Sequence, residues 1–141
     1  MSFGETIAAF LGRVIMAWFF LSEAYRYVLS WNGTVALLAL KHVQSPQVVL
    51  FGVLLVMLLC ALSLFLGFRA RLGALALFAL TVTATVFLHD YWHIQDAIER
   101  QDDYNLFARN IAIAGGLLVL VGVGPGKFSL DGDHSPHGKK D

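Results

Sequence analysis

The sequence predicts an all-α membrane protein, a bundle of four transmembrane helices with a short interfacial segment between helices 1 and 2. Of its 141 residues, 57% are hydrophobic and only 14% are charged, a composition far from the soluble globular average. The charges are unevenly placed as well, because residues 48 to 68 contain none. At about 1.5 Å per residue this segment would reach roughly 31 Å, which is the thickness of one bilayer core.

The first predicted helix, Ile7 to Val28, is unusual because it carries Arg13, Glu23 and Arg26. An ionisable residue at the centre of a membrane helix costs about 2.5 to 3.5 kcal/mol on insertion scales. These side chains should therefore face protein, water or lipid headgroups, which a helix bundle permits. No basic residue precedes the apolar run, as it would in a secretory signal, so we expect the helix to be retained.

The other elements follow along the chain. Within Trp31 to His42, the apolar stretch is too short to cross a bilayer, so we expect it to lie at the interface or to re-enter the membrane. The sequence breaks at Ser45-Pro46, where a new helix can begin. The remaining transmembrane helices are predicted over Val48 to Phe68, Leu72 to Trp92 and, shorter and glycine-containing, Leu106 to Val123.

The chain is predicted to hold a single four-helix transmembrane domain, residues 1 to 131, and a disordered cytoplasmic tail, residues 132 to 141. The tail has the glycine, serine, proline and charge content of a disordered end. Basic residues collect at the Arg69-Ala70-Arg71 turn and in the tail, whereas carboxylates collect on the opposite side of the bundle. The positive-inside rule then predicts that both termini lie in the cytoplasm.

The third apolar run ends in a polar segment, His89 to His93. In a continuous helix His89, Trp92, His93 and Asp96 would share one face, because positions i, i+3, i+4 and i+7 do. Two imidazoles one turn apart could ligate a metal ion. No further histidine or cysteine converges on them in the predicted helices, so we predict no metal site.

Three predicted helices carry polar residues at a similar depth near the outer side. They could line one pocket for a polar headgroup or for a proton-coupled reaction, since histidine titrates near neutral pH. They could equally form a scaffold of ion pairs that ties the helix ends together. The candidate ligand-binding residues are Glu23, Arg26, His89, Asp90, Trp92, Arg109 and Asn110, with Arg13 and His93 as structural or secondary candidates.

Several motifs stand in a defined order along the chain. They are Arg13, Gly67–Leu72, Ala84–Trp92, Phe107–Asn110 with Gly115-Gly116, and Gly124–Asp131. In order and spacing, over about residues 10 to 131, the chain resembles the DoxX family of small four-helix bacterial inner-membrane proteins.

The resemblance implies a DoxX-like integral membrane subunit of a quinone-linked redox system, whose outer pocket holds a quinone headgroup or a small anion. The alternative is a non-catalytic membrane anchor or accessory subunit of a respiratory or oxidative-stress oxidoreductase complex. Whether the chain is an enzyme stays open. The expected partners are the lipid membrane and either redox subunits or further copies of the chain, with no nucleic acid and no intrinsic cofactor.

Two positions depart from the DoxX pattern. That family usually has G-x-x-K where this chain has Glu23-Ala24-Tyr25-Arg26, and it often has a glutamate in helix 2 where this chain has Met57. We hypothesise that Glu23 supplies the carboxylate missing from helix 2. In that case Glu23→Gln should damage whatever His89→Ala damages.

Overall fold

The computed structural model describes residues 2 to 130, and over that range its regular structure is entirely helical. Four of its helices are long and apolar enough to cross a membrane. The predicted all-α bundle, with a short apolar helix after the first long one, is confirmed. The predicted tail, residues 132 to 141, lies outside the described residues. The elements are α1 (Phe3–Leu29), α2 (Trp31–Leu40), α3 (Pro46–Leu66), α4 (Ala70–Leu88), a 3-10 turn (Tyr91–His93) and α5 (Ala97–Val123).

The long helices pack in the order α1, α3, α4, α5, and α2 lies against α3 and α1. Small residues at the helix contacts, such as the fully buried Ala17, Ala61 and Ala74, allow the backbones to approach closely. Large apolar side chains point outward instead, with Phe51 63% and Val119 65% exposed. Such a surface is unfavourable in water and suited to lipid chains. The chain is therefore a multi-pass membrane protein.

Helix α4 ends at Leu88, before the polar segment. A new helix begins after Asp96, whose Oδ1 accepts hydrogen bonds from the backbone N–H groups of Ile98 and Glu99, both at 3.0 Å. A carboxylate in this position satisfies the unpaired donors of a helix N-terminus. The predicted single-helix stripe through the polar segment and Asp96 is therefore wrong.

Helix α5 begins at Ala97, well before the predicted start at Leu106. Its 27 residues give a length of about 40 Å, which exceeds a hydrocarbon core of about 30 Å. The first turns carry Glu99, Asp102 and Asp103 and extend beyond the apolar part. The fourth transmembrane helix is thus longer than predicted, because apolar content reveals only the portion that is suited to lipid.

Arg13 joins three elements at one end of the bundle, which we call the Arg13 end. Helix α1 runs from there to the opposite end, which we call the Glu23 end. The side chain is 1% exposed, and its Nη1 donates to the Leu64 carbonyl of α3 at 3.0 Å. Its Nη2 donates to the Phe128 carbonyl, beyond α5. Carbonyls in the last turn of a helix lack helical partners, and a positive charge there is favourable. Arg13 thus ties α1 to α3 and to the segment after α5.

Gly67 ends α3 in a left-handed conformation, with φ of 71°, and packs against Arg13 and Ser129. A Cβ at Gly67 would lie 2.8 Å from the Ser129 Cα and would overlap the Arg13 guanidinium. We expect Gly67→Ala to lower the free energy of unfolding by about 2 kcal/mol, since the left-handed backbone alone costs about 1 to 2 kcal/mol. Thermal unfolding in mild detergent, followed by circular dichroism, measures this.

Gly52→Ala, in the middle of α3, is the matched control for that substitution. A Cβ at Gly52 would meet nothing within 4 Å, so the change should be neutral or stabilising by up to about 1 kcal/mol. Equal losses in the two variants would contradict the role given to Gly67.

Candidate functional site

A cavity of about 230 Å³ lies between the helices at the Glu23 end, which we call the outer cavity. Four helices form most of its wall, and α5 contributes Asn110. Most of its surface comes from apolar side chains, such as those of Phe20, Leu38 and Met57. Apolar walls with a few polar groups are typical of small-molecule sites. The polar residues on the wall are Glu23, Tyr27, Thr34, Thr81, Thr83, Thr85 and Asn110.

Among the residues that the structure describes, Glu23 is the one carboxylate on this wall, and two arginines contact it. Its Oε1 accepts a hydrogen bond from the Arg26 Nη1 at 2.6 Å, and its Oε2 lies 3.9 Å from the Arg109 Nη2. The Glu23 side chain is only 13% exposed, whereas those of Arg26 and Arg109 are 68% and 38% exposed. The arginines therefore offset a nearly buried negative charge and fix the direction of the carboxylate beside the cavity.

Asn110 is oriented by its neighbour. Arg109 donates from both Nε and Nη2 to the Asn110 Oδ1, each at 3.2 Å, and its guanidinium lies 5.5 Å from the centre of the Phe19 ring. Both arginine groups are donors, so the amide oxygen must face them. Asn110 lines the outer cavity, and Arg109 does not engage its amide N–H groups.

Thr85 contributes a buried hydroxyl to the same wall. Its side chain is 1% exposed, and among the described residues its Oγ1 has no hydrogen-bond partner. An unpaired buried polar group costs about 1 to 3 kcal/mol. A ligand that bonded this hydroxyl would remove the penalty. The signal in the sequence was the pair Thr81 and Thr85, four residues apart on one face of an apolar run, which the sequence interpretation missed.

Two further predicted residues form separate polar contacts between elements and do not line the outer cavity. The His89 Nδ1 is 2.8 Å from the Asp103 Oδ1, which links the end of α4 to α5. The Lys41 Nζ is 2.8 Å from the Asp90 Oδ1, which links the end of α2 to the polar segment. Asp103 and Lys41 were absent from the predicted set, because they approach from distant parts of the chain.

Trp92 and His93 belong to an aromatic cluster around Tyr91. The Tyr91 ring lies 5.1 to 5.3 Å from the rings of Trp92, Tyr104 and Phe107, and His93 stacks obliquely on Trp92 at 6.0 Å. Trp92 is 51% exposed, as is common for aromatic residues at a membrane interface. The cluster packs the polar segment onto α5.

The structure thus divides the predicted site residues into groups. Glu23, Arg26, Arg109 and Asn110 come together beside the outer cavity, while the histidines, Asp90 and Trp92 lie in the links described above. Over residues 2 to 130, no group of three or more histidine, cysteine, aspartate or glutamate side chains is arranged to hold a metal ion.

Comparison with known families shows to which family the chain belongs. The sequence model of the SURF4 family matches residues 5–136, nearly the whole chain. The chain belongs to the SURF4 family. The resemblance to the DoxX family is therefore wrong. The motifs near Arg13, Gly67 and Gly124 seat an arginine against helix ends, so they reflect the packing of a four-helix bundle and are weak markers of one family.

The names of two eukaryotic relatives agree with this family assignment. A Surfeit locus protein 4 homolog of Schizosaccharomyces pombe is 36% identical over 73 residues, 51% of this chain and 24% of its own length. One from Drosophila melanogaster is 28% identical over 123 residues, 85% of this chain and 38% of its own. The inner membrane protein YphA of Escherichia coli is 26% identical over 121 residues, 86% of each chain. The chain therefore spans less than half of these eukaryotic relatives. No solved structure matches it.

Proposed function

We propose that this protein binds one uncharged amphipathic molecule from the membrane, with its headgroup in the outer cavity beside Glu23, Thr85 and Asn110. One observation carries the proposal. A fully buried Thr85 hydroxyl, unpaired within residues 2 to 130, lines a cavity that is otherwise mostly apolar. A ligand with a carbonyl or hydroxyl group would satisfy Thr85 and cover the apolar walls at the same time.

The size and charge of the cavity define the ligand further. Its volume of about 230 Å³ is below the roughly 300 to 1,000 Å³ of pockets that enclose drug-sized molecules. It therefore suits a headgroup and the first part of a tail that continues into the lipid. Glu23 is an acceptor, while Thr85 and Asn110 offer donors, which suits an uncharged oxygen-bearing group. A small anion would lie against the Glu23 carboxylate and is not proposed.

Quinones fall within this ligand class, since their ring carbonyls could accept from the Thr85 hydroxyl and the Asn110 amide. The redox role and the accessory-subunit alternative came from the DoxX resemblance, which is overturned, so we propose binding alone. We also propose that the chain lies in a bacterial inner membrane with both termini in the cytoplasm. The name of the Escherichia coli relative and the basic character of the Arg13 end support this location.

A substitution that fills the outer cavity tests the proposal. A molecule should co-purify with the wild-type protein from native membranes in mild detergent. We expect Ala84→Trp, on the cavity wall, to abolish retention of that molecule. Organic extraction followed by mass spectrometry identifies and quantifies that molecule. Val86→Trp is the matched control, because Val86 is on α4, 49% exposed and not on the wall. Equal retention in wild type and Ala84→Trp would overturn the proposal.

Thr85→Val distinguishes a hydroxyl that binds a ligand from a hydroxyl that stabilises the fold. Because Oγ1 has no partner within residues 2 to 130, we expect the ligand-free variant to be as stable as wild type or up to about 1 kcal/mol more stable. Retention of the co-purifying molecule should fall about fivefold. Thr85→Ser keeps the hydroxyl and should retain more of it. Clear destabilisation of Thr85→Val in the absence of ligand would show a structural hydroxyl instead.

A further inference from the structure

A second concave surface lies at the Arg13 end, separate from the outer cavity. Helices α1 and α5 make few contacts with each other, and a groove of about 780 Å³ opens between them. Apolar or small residues from both helices form most of its wall, including Gly12 and Met16 of α1 and Val119 and Leu120 of α5. In a membrane such a groove is filled by a lipid chain or by another helix.

Arg71 lies at the end of this groove. Its guanidinium packs against Gly124, where an added Cβ would lie 2.8 Å from Nη2, and it donates to the Val123 carbonyl at the long distance of 3.4 Å. Both of these residues line the groove. Among the described residues no carboxylate forms an ion pair with Arg71, which is exposed. Most of its five N–H donors can therefore serve a ligand.

We propose that the α1/α5 groove binds one acyl chain of an anionic phospholipid, with the lipid phosphate held by Arg71. Charge complementarity favours this occupant. At this end the described charged residues are basic, Arg13, Arg69, Arg71 and Lys127, with Glu5 as the one acid. Glu5 also lines the groove, and its carboxylate accepts a hydrogen bond from the backbone N–H of Ser2 at 2.6 Å, as part of the cap that begins α1.

The arrangement also places the lipid phosphate at the Arg71 end of the groove and the acyl chain deeper in the membrane. Guanidinium groups bind phosphate oxygens through paired N–H donors, and they do so most strongly where water is scarce. The groove runs from Gly124 toward the middle of the bundle, past Met16, so the acyl chain follows α1 and α5 into the membrane. The site differs from the outer cavity in its position, its charge and the class of lipid that it selects.

Photo-crosslinking tests this proposal directly. The protein is reconstituted in phosphatidylcholine vesicles with a small fraction of phosphatidylglycerol that carries a photoactivatable acyl chain, and cross-linked peptides are mapped by mass spectrometry. We expect labels on groove residues such as Met16 and Leu120. Unlabelled phosphatidylglycerol should compete for the site, and unlabelled phosphatidylcholine should not.

Three variants give the expected pattern its controls. Arg71→Gln should lower the labelling yield about fivefold, and Arg71→Lys, which keeps the charge but not the paired donors, should give an intermediate yield. Gly12→Leu should block the groove, because Gly12 lines it and a side chain added there would occupy its open space. Gly52→Leu on α3 should leave labelling unchanged, because Gly52 does not line the groove.

Other outcomes would overturn the proposal. They are labelling spread over the whole lipid-facing surface, equal competition by the two lipids, or labelling unaffected by Gly12→Leu. A dimer that is lost in Gly12→Leu would mean that a second copy of the chain covers the groove. Neither result bears on the outer cavity, whose ligand is measured separately.

Discussion

Replacing Arg13 with methionine is expected to lower the free energy of unfolding by about 2 to 4 kcal/mol, the largest stability loss of any single change considered. Methionine can fill much of the space, but it leaves the Leu64 and Phe128 carbonyls without their donor. The Leu64 carbonyl is buried, and leaving it without a donor costs about 1 to 3 kcal/mol, whereas the part-buried Phe128 carbonyl adds less. Measured couplings inside membrane proteins are somewhat smaller, which keeps the estimate near the lower part of the range.

Two further variants bracket that result. Arg13→Lys keeps the charge but has a single ammonium, which cannot repeat the two-point contact, so an intermediate loss is expected. Arg100→Met, on the exposed first turns of α5, should change stability by no more than about 0.5 kcal/mol. Unfolding midpoints in detergent with increasing denaturant provide the comparison. If Arg13→Met matched Arg100→Met, the buried network would not hold the Arg13 end together.

Removing the charge of Glu23 should have the largest effect of any near-isosteric change on the outer cavity. We expect Glu23→Gln to reduce retention of the co-purifying molecule at least about tenfold, equivalent to about 1.4 kcal/mol. The change removes a strong acceptor and leaves Arg109, which is only 38% exposed, without its carboxylate partner beside the site. Quantified extraction of the purified variant measures the loss.

His89→Ala should behave differently from Glu23→Gln, although the sequence hypothesis joined them in one site. His89 pairs with Asp103 and does not line the outer cavity. We therefore expect His89→Ala to lower stability by about 1 to 2 kcal/mol while the bound molecule is retained. Asp103→Asn should have a similar effect, and the double variant should lose little more than either single one. Loss of the bound molecule in His89→Ala would restore the single shared site.

The sequence predicted the helices best where one physical signal dominated. The uncharged run over residues 48 to 68 predicts a membrane helix, and the structure places α3 over Pro46–Leu66. The predicted range of the fourth helix is too short, because the polar first turns of α5, which include Asp102 and Asp103, lie outside the apolar pattern. The helix cap at Asp96 is the local feature of the sequence that marks the true start of this helix.

The site was harder to predict than the helices, because its contacts join distant parts of the chain. Glu23 and Arg109 meet only once α1 and α5 are packed, and the pairs formed by His89 and Asp90 depend on the same packing. Depth in the membrane placed these residues correctly at one end of the bundle. It could not separate those that face the outer cavity from those that link helices. Family motifs could not do so either, since the strongest of them serve helix ends.

Native mass spectrometry of the intact protein, released from mild detergent, is the most direct test of ligand binding in the outer cavity. We expect the wild-type chain and Val86→Trp to carry the mass of one outer-cavity ligand per chain, the same in both. Ala84→Trp should lack that mass, while its helical content and any phospholipid mass from the α1/α5 groove stay those of wild type. A wild-type chain without the ligand mass, or an Ala84→Trp chain that keeps it, would contradict the proposed function.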